Sequence, residues 1–177
     1  MTWTSFHSRG EILRDVIAVA DQRRDGLLPT DVDGVAETFG DDLALLGALQ
    51  LRWHTRLAGR IERELMRQPM DLEDAVVAAW HAAADELPGV LAIVDHHRAQ
   101  PADAAMADAM EKSVAKERIL LAMMAGRASA PDASAVRVGA AIESRARATY
   151  RPVRVPTSRR SPQSGLLDRL KAALAAA

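Results

Sequence analysis

The chain has 177 residues, of which 49% are hydrophobic and only 3% aromatic, with a formal net charge of −1 and no cysteine. This length accommodates one domain with an aliphatic core and an appendage. The lack of cysteine excludes disulfides, thiolate zinc sites and cysteine nucleophiles, and the near-neutral charge argues against a nucleic-acid surface that covers the whole protein. The abundance of Ala and Leu predicts an all-α fold without a sheet.

The N-terminal part of the chain predicts one longer helix and one short helix. Ser8 and Glu11 match a capping box, in which the serine caps the backbone and the glutamate reaches back to it, so a first helix is expected to begin there. Asp25-Gly26 ends it. A short helix is predicted from Thr30 to Phe39, with Thr30 as its cap.

The longest helical signal runs from Asp41 to Arg67 and contains no proline. Its apolar side chains form the wide stripe of a helix that faces a core, at Leu46, Trp53, Leu57 and Ile61. Three polar side chains lie within or at the edge of that stripe, at Gln50, His54 and Glu64. Since buried polar groups are usually hydrogen-bonded, we interpret Gln50 as a satisfied core amide, His54 as a boundary histidine and Glu64 as an exposed end residue.

The later helices complete an up-and-down-type bundle of about five to six helices. Asp71 opens a helix whose apolar phase continues across Pro88-Gly89, which predicts two nearly collinear helices or one kinked helix. Asp103 to Ala128 is a second long helix, and Glu117 lies within its main apolar stripe. A final helix extends to Tyr150.

The C-terminal part is basic, whereas the remainder is acidic. Residues 145–177 hold eight Arg or Lys against Asp168 alone, a balance of +7, which leaves −8 for the rest. After the predicted bundle of residues 1–150, residues 151–165 are expected to be a disordered Pro, Ser and Arg linker. Residues 166–177 predict a short amphipathic helix whose apolar face needs a partner, either its own bundle, another copy or a different protein, because so short a helix is marginal alone. Its apolar face comprises Leu166, Leu167, Leu170 and Leu174.

No motif in the sequence fixes a reaction, since it contains neither a Gly-rich phosphate loop nor a G-x-S-x-G elbow. We therefore expect a non-enzymatic interaction or adaptor protein that requires no cofactor and docks its terminal segment on a protein partner or on another copy. Nucleic acid would be bound at most non-specifically, through Arg159 and Arg160. With neither a membrane span nor a secretory signal in the sequence, a cytoplasmic location is expected.

The alternative hypothesis is a ferritin-like or hemerythrin-like bundle in which inward Glu and His side chains hold iron or manganese. The candidate ligands are His54, Glu64, His81, Asp85 and Glu117. Against this hypothesis, the chain lacks the E-x-x-H pairs of di-metal carboxylate bundles. The competing interpretation is an internal ion pair between Glu117 and an Arg or His, so the position of Glu117 relative to His54 becomes the decisive geometry.

Overall fold

The computed structural model describes the backbone of residues 3–152 and the side chains of residues 9–152. The predicted linker and the terminal segment, with Leu166, Leu167, Leu170 and Leu174, lie outside these described residues. Within them the chain forms seven helices and no strand, so the all-α class is confirmed. The helices are α1 (Trp3–Arg23), α2 (Val35–Phe39), α3 (Asp42–Leu65), α4 (Leu72–Glu86), α5 (Pro88–Ala99), α6 (Ala104–Met124) and α7 (Ala133–Thr149).

Helix α3 is the centre of the bundle. It contacts every other helix except α7, and its stripe residues Trp53, Leu57 and Ile61 are almost completely buried. The largest remaining helix pairings are α6 with α7 and α1 with α5. The predicted central helix is therefore confirmed as the element around which the others pack.

Four helices begin at an aspartate that caps the exposed backbone N–H groups of the first turn. The side chain of Asp41 accepts from Ala44 N at 2.7 Å, and Asp71, Asp103 and Asp132 make equivalent bonds at the starts of α4, α6 and α7. Such caps stabilise a helix by about 1 kcal/mol each. These local contacts explain why the starts of the four helices were predictable from the sequence.

The predicted starts of α1 and α2 were wrong. Helix α1 begins at Trp3, so Ser8 and Glu11 lie inside it, and Glu11 faces Arg14 at 3.7 Å instead of capping the backbone. Helix α2 begins at Val35, after Gly34 with a φ of 81°, and not at Thr30. The left-handed backbone at Gly34 interrupts the helix that the sequence pattern had extended back to Thr30.

The predicted collinear or kinked helix across Pro88 was also wrong, because α4 and α5 meet at an angle of 101°. Leu87 leaves the helical region with φ −132° and ψ 51°, as expected for a residue before proline, and Pro88 then starts α5. Among residues 3–152, no single helix is long and apolar enough to cross a membrane. Only α4 and α5 taken together have the required length and apolar composition, and they are bent by 101°.

Two helix pairs cross with their backbones in direct contact at a glycine. A Cβ atom on Gly139 of α7 would lie 1.9 Å from the carbonyl oxygen of Arg118 in α6. A Cβ atom on Gly89 of α5 would lie 2.2 Å from the carbonyl carbon of Ala20 in α1. These glycines therefore set the short separations of α6 from α7 and of α1 from α5.

Candidate functional site

The structure brings the carboxylate of Glu117 on α6 onto two side chains of α3. Trp53 Nε1 donates to Glu117 Oε2 at 2.9 Å, and His54 Nε2 lies 3.5 Å from the same oxygen. Glu117 is only 9% exposed. One turn earlier on α3, the buried Gln50 amide contacts the Met110 sulfur of α6 at 2.6 Å. Gln50, His54 and Glu117 thus all lie along the α3–α6 contact.

Glu117 and His54 also line a cavity of about 310 Å³ that opens between α3 and α6, with Thr55 and Lys116 at its edge. An imidazole beside a carboxylate is a pair that can transfer a proton. Within the described part of the chain, however, neither group hydrogen-bonds a hydroxyl nucleophile. The arrangement holds α3 against α6 and supplies one acidic and one basic group at an opening.

The remaining candidate metal ligands lie elsewhere. Glu64 is paired with Arg67 at the end of α3, His81 Nε2 lies 2.8 Å from the carbonyl oxygen of Ala146, and Asp85 accepts from Tyr150. Across residues 9–152 no group of three or more His, Asp or Glu side chains is arranged to hold a metal ion. The iron or manganese hypothesis therefore stays a prediction, and of its five candidate ligands His54 and Glu117 face each other at 3.5 Å.

A second buried carboxylate, Glu143 of α7, was not anticipated from the sequence. Its Oε1 accepts from Arg98 of α5 and from Arg147 Nε at 2.9 Å, and its Oε2 accepts from Arg118 Nε of α6 at 2.9 Å. Burial alone would raise the pKa of Glu143, but hydrogen bonds from Arg98 and Arg118 lower it to about 2. Arg147 continues the network to Asp95 through two bonds of 2.8 Å. The cluster joins α5, α6 and α7.

Some of the basic residues from position 145 onward belong to the bundle and not to the C-terminal segment. Arg145 bonds Glu73 and Asp74 of α4, and Arg147 bonds Asp95 and Glu143. Both arginines are part of α7 and are paired with acids of the bundle. The available sequence signal was the spacing of Glu143 and Arg147, four residues apart on one helix face.

The outward side of α3 forms an apolar groove with α1, which we call the α1–α3 groove. Its volume is about 570 Å³, and its floor consists of small residues of α3, Ala44, Gly47 and Ala48. Leu13 of α1 and Leu51 of α3 form its sides, and Leu51 is 68% exposed. This groove was not predicted from the sequence, because the apolar periodicity of α3 indicates its inward stripe alone.

Comparison of the chain with protein-family models, curated proteins and solved structures gives no match.

Proposed function

We propose that this chain is a non-enzymatic α-helical interaction protein that accepts a partner helix in the α1–α3 groove and docks through residues 166–177. The observation that carries the proposal is the exposure of Leu51, 68%, on one side of an apolar groove. Grooves between helices are a recurrent receptor for amphipathic helices. An exposed leucine within a continuous apolar surface is more informative than one that stands alone.

The floor of the groove suits a helix because it lacks large side chains. A Cβ added to Gly47 or to Gly10 would meet no atom within 4 Å, so the space above them is open. Packed helices approach to about 8–10 Å between axes when small residues line the contact. A leucine of the partner that enters this space, together with burial of Leu51, would contribute about 1.5–3 kcal/mol for each leucine.

The rim of the groove is basic. Arg52 forms no hydrogen bond or ion pair within the described residues, whereas Arg9 is held by a bond to the Thr38 carbonyl and by its position 4.7 Å over the Phe39 ring. Both arginines line the groove. Complementary charge steers and orients helix docking, so the favoured partner is an amphipathic helix with acidic residues beside its apolar stripe.

The hydrogen bonds of the buried carboxylates support a binding role for the protein better than a catalytic role. Glu117 accepts from an indole, Glu143 from three guanidinium groups, and Asp95 from Arg147. These carboxylates link neighbouring helices through hydrogen bonds and ion pairs. The docking role of residues 166–177 rests on the sequence pattern of Leu166, Leu167, Leu170 and Leu174.

A photo-crosslinking amino acid placed at Leu51 of the full chain tests the groove directly. The matched control carries the same amino acid at Leu27, which is 56% exposed but does not line the groove. We expect a discrete protein adduct from position 51, mapped by mass spectrometry, and none from position 27. The adduct should be lost when an acidic competitor helix is added.

Two further variants separate the groove from the terminal segment. Gly47→Glu in the chain that carries the crosslinker at position 51 should abolish the groove adduct without loss of helix content, because its side chain occupies the open floor of the groove. Deletion of residues 166–177 should remove the partner, or the self-association, that depends on the tail, measured by sedimentation velocity and affinity capture. Unchanged adducts, partners and oligomeric state in both variants would show that the chain is not an interaction protein of this kind.

A further inference from the structure

The exposed face of α3 carries both a protrusion and a hollow. Its side chains along the α1–α3 groove are small at Ala44, Gly47 and Ala48 and large at Leu51, which is 68% exposed. The space above Gly47 is open, and Leu51, four residues later, projects from the same side of the helix. A face of this kind can pack against a second copy of itself, as the interface of a symmetric dimer requires.

An antiparallel pair of α3 helices brings these two features together. With the twofold axis between Gly47 and Ala48, Leu51 of one copy would lie opposite Ala44 of the other, and Gly47 would lie opposite Ala48. The small residues would let the two helix axes approach to about 8 Å, while each leucine fills the space over the small residues of the other copy. The two helix dipoles would also point in opposite directions, which is the favourable arrangement.

The charges on this face favour the antiparallel over the parallel arrangement. Arg52 follows the capping residue Asp41 by eleven residues, close to three helical turns, so the two lie on one line along α3. Within residues 9–152, neither side chain forms an ion pair, and Asp41 uses only Oδ1 for its cap. The antiparallel pair would place Arg52 of each copy about 3 Å along the axis from Asp41 of the other. A parallel pair would instead place the two Arg52 side chains together.

We infer, on the basis of the proposed function of the α1–α3 groove, that it binds the α3 helix of a second copy and that the chain forms a twofold symmetric dimer. Each copy supplies both the groove and the helix that enters it, so the same contact is made twice. The start of α3 has the character expected of the partner helix, because an apolar face follows the acidic residues Asp41 and Asp42. Complementary charge thus selects the antiparallel register.

Single cysteines test this pairing directly, because the chain has no cysteine of its own. Gly47→Cys places a thiol beside the twofold axis, at a position where a Cβ atom meets no atom within 4 Å. We expect mild oxidation of the full chain to give a disulfide-linked dimer, since Cα atoms about 4.4–6.8 Å apart can be bridged. The product is measured by electrophoresis without reductant and by mass spectrometry.

Two further cysteine variants serve as controls. Thr55 is exposed and lines the same groove, but in the antiparallel pair the two copies of residue 55 lie about 22 Å apart along the axis. Thr55→Cys should therefore form no disulfide. Leu27→Cys reports random collisions, because Leu27 is 56% exposed but lies outside the groove.

Sedimentation velocity of the purified parent chain measures the dimer without a crosslink. Arg52→Gln and Asp41→Asn should each raise its dissociation constant by about two- to thirtyfold, the effect of losing two exposed ion pairs. Asparagine caps a helix about as well as aspartate, so Asp41→Asn removes the charge and keeps the fold. Arg63→Gln is the matched control, because Arg63 is an exposed residue of α3 that lies outside the groove, and it should leave the dissociation constant unchanged.

Three results would overturn the inference. The first is a parent chain that remains a monomer up to about 1 mM, where even a weak dimer associates. The second is a disulfide in Thr55→Cys or Leu27→Cys as abundant as in Gly47→Cys, which excludes the antiparallel pairing. The third is loss of the dimer on deletion of residues 166–177, which makes the terminal segment the occupant of the groove.

The photo-crosslinker at position 51 separates this inference from the proposed function. An adduct in which one copy is isotopically labelled and the other is not, mapped to residues 43–48, supports the dimer. An adduct with a different protein, from a chain that is itself monomeric, overturns the dimer and leaves the groove as a helix receptor. The absence of any adduct overturns both.

Discussion

Replacing Glu143 by glutamine removes the one negative charge on which Arg98, Arg118 and Arg147 converge. The pKa of this carboxyl is about 2 in the folded protein, against an ordinary value of 4.5, so ionised Glu143 stabilises the fold by about 3 kcal/mol. A carboxyl whose pKa is depressed by folding contributes this stability fully above pH 4.5. The contribution is lost as the pH falls from about 4.5 towards 2.

Urea unfolding followed by far-ultraviolet circular dichroism measures this effect, because urea does not screen charges as a salt would. At neutral pH we expect Glu143→Gln to lower the free energy of unfolding by about 3 kcal/mol, with the difference from the parent chain shrinking below pH 4.5. Asp31→Asn is the control, since Asp31 also pairs with an arginine, Arg23, but lies at the exposed surface. A Glu143→Gln protein as stable as the parent at neutral pH, or a difference that does not change with pH, would refute the reasoning.

Further measurements test the close helix crossing and the α3–α6 contact. Gly139→Ala should destabilise the fold by about 3 kcal/mol or more, because its Cβ would meet the backbone of α6. Gly59→Ala, whose Cβ would meet no atom within 4 Å, should instead stabilise the fold by up to about 1 kcal/mol. Equal effects of the two substitutions in thermal unfolding would contradict the close crossing of α6 and α7. Glu117→Ala should cost about 1–3 kcal/mol and shift the Trp53 emission, because the indole N–H loses its acceptor. Elemental analysis of untagged protein should find less than one iron or manganese per chain; a full equivalent that disappears in His54→Ala would establish metal binding instead.

The boundaries of the helices were predictable wherever they depend on contacts within one turn. Asp41 and Asp71 cap their helices through backbone groups three residues away, so the residue and its spacing carry the information. The capping box at Ser8 failed although its spacing is correct. No glycine or proline precedes it to stop the helix, so the backbone continues upstream to Trp3.

The angle between α4 and α5 was not predictable from periodicity. An apolar period reports which side of each helix is buried, and Trp80 of α4 and Val90 of α5 are both fully buried. The direction of the axis changes by 101° at Leu87, where proline excludes the helical backbone. Continuous burial is therefore compatible with a sharp turn, because both helices face the same core from different directions.

Glu117 was recognised as a candidate because a carboxylate within an apolar stripe is unexpected from its own helix alone. The identity of its donor, Trp53, depends on how α3 and α6 pack, and the sequence carries no local signal for it. The network around Glu143 was not predictable for the same reason, because its partners Arg98 and Arg118 lie 45 and 25 residues away along the chain. Only Arg147, on the same helix, was within reach of a local rule.

The two buried carboxylates differ in what neutralises them, and this decides which one the fold depends on. Glu117 receives a neutral indole N–H and lies beside His54, so loss of its charge leaves no cation without a counter-ion except when His54 is protonated. Glu143 is surrounded by three permanently charged guanidinium groups, of which, within residues 9–152, only Arg147 pairs with a second acid, Asp95. Removing its charge leaves Arg98 of α5 and Arg118 of α6 without this counter-ion, which is costly in a buried site. Charge pairs thus contribute more to the α5–α6–α7 corner than to the α3–α6 contact.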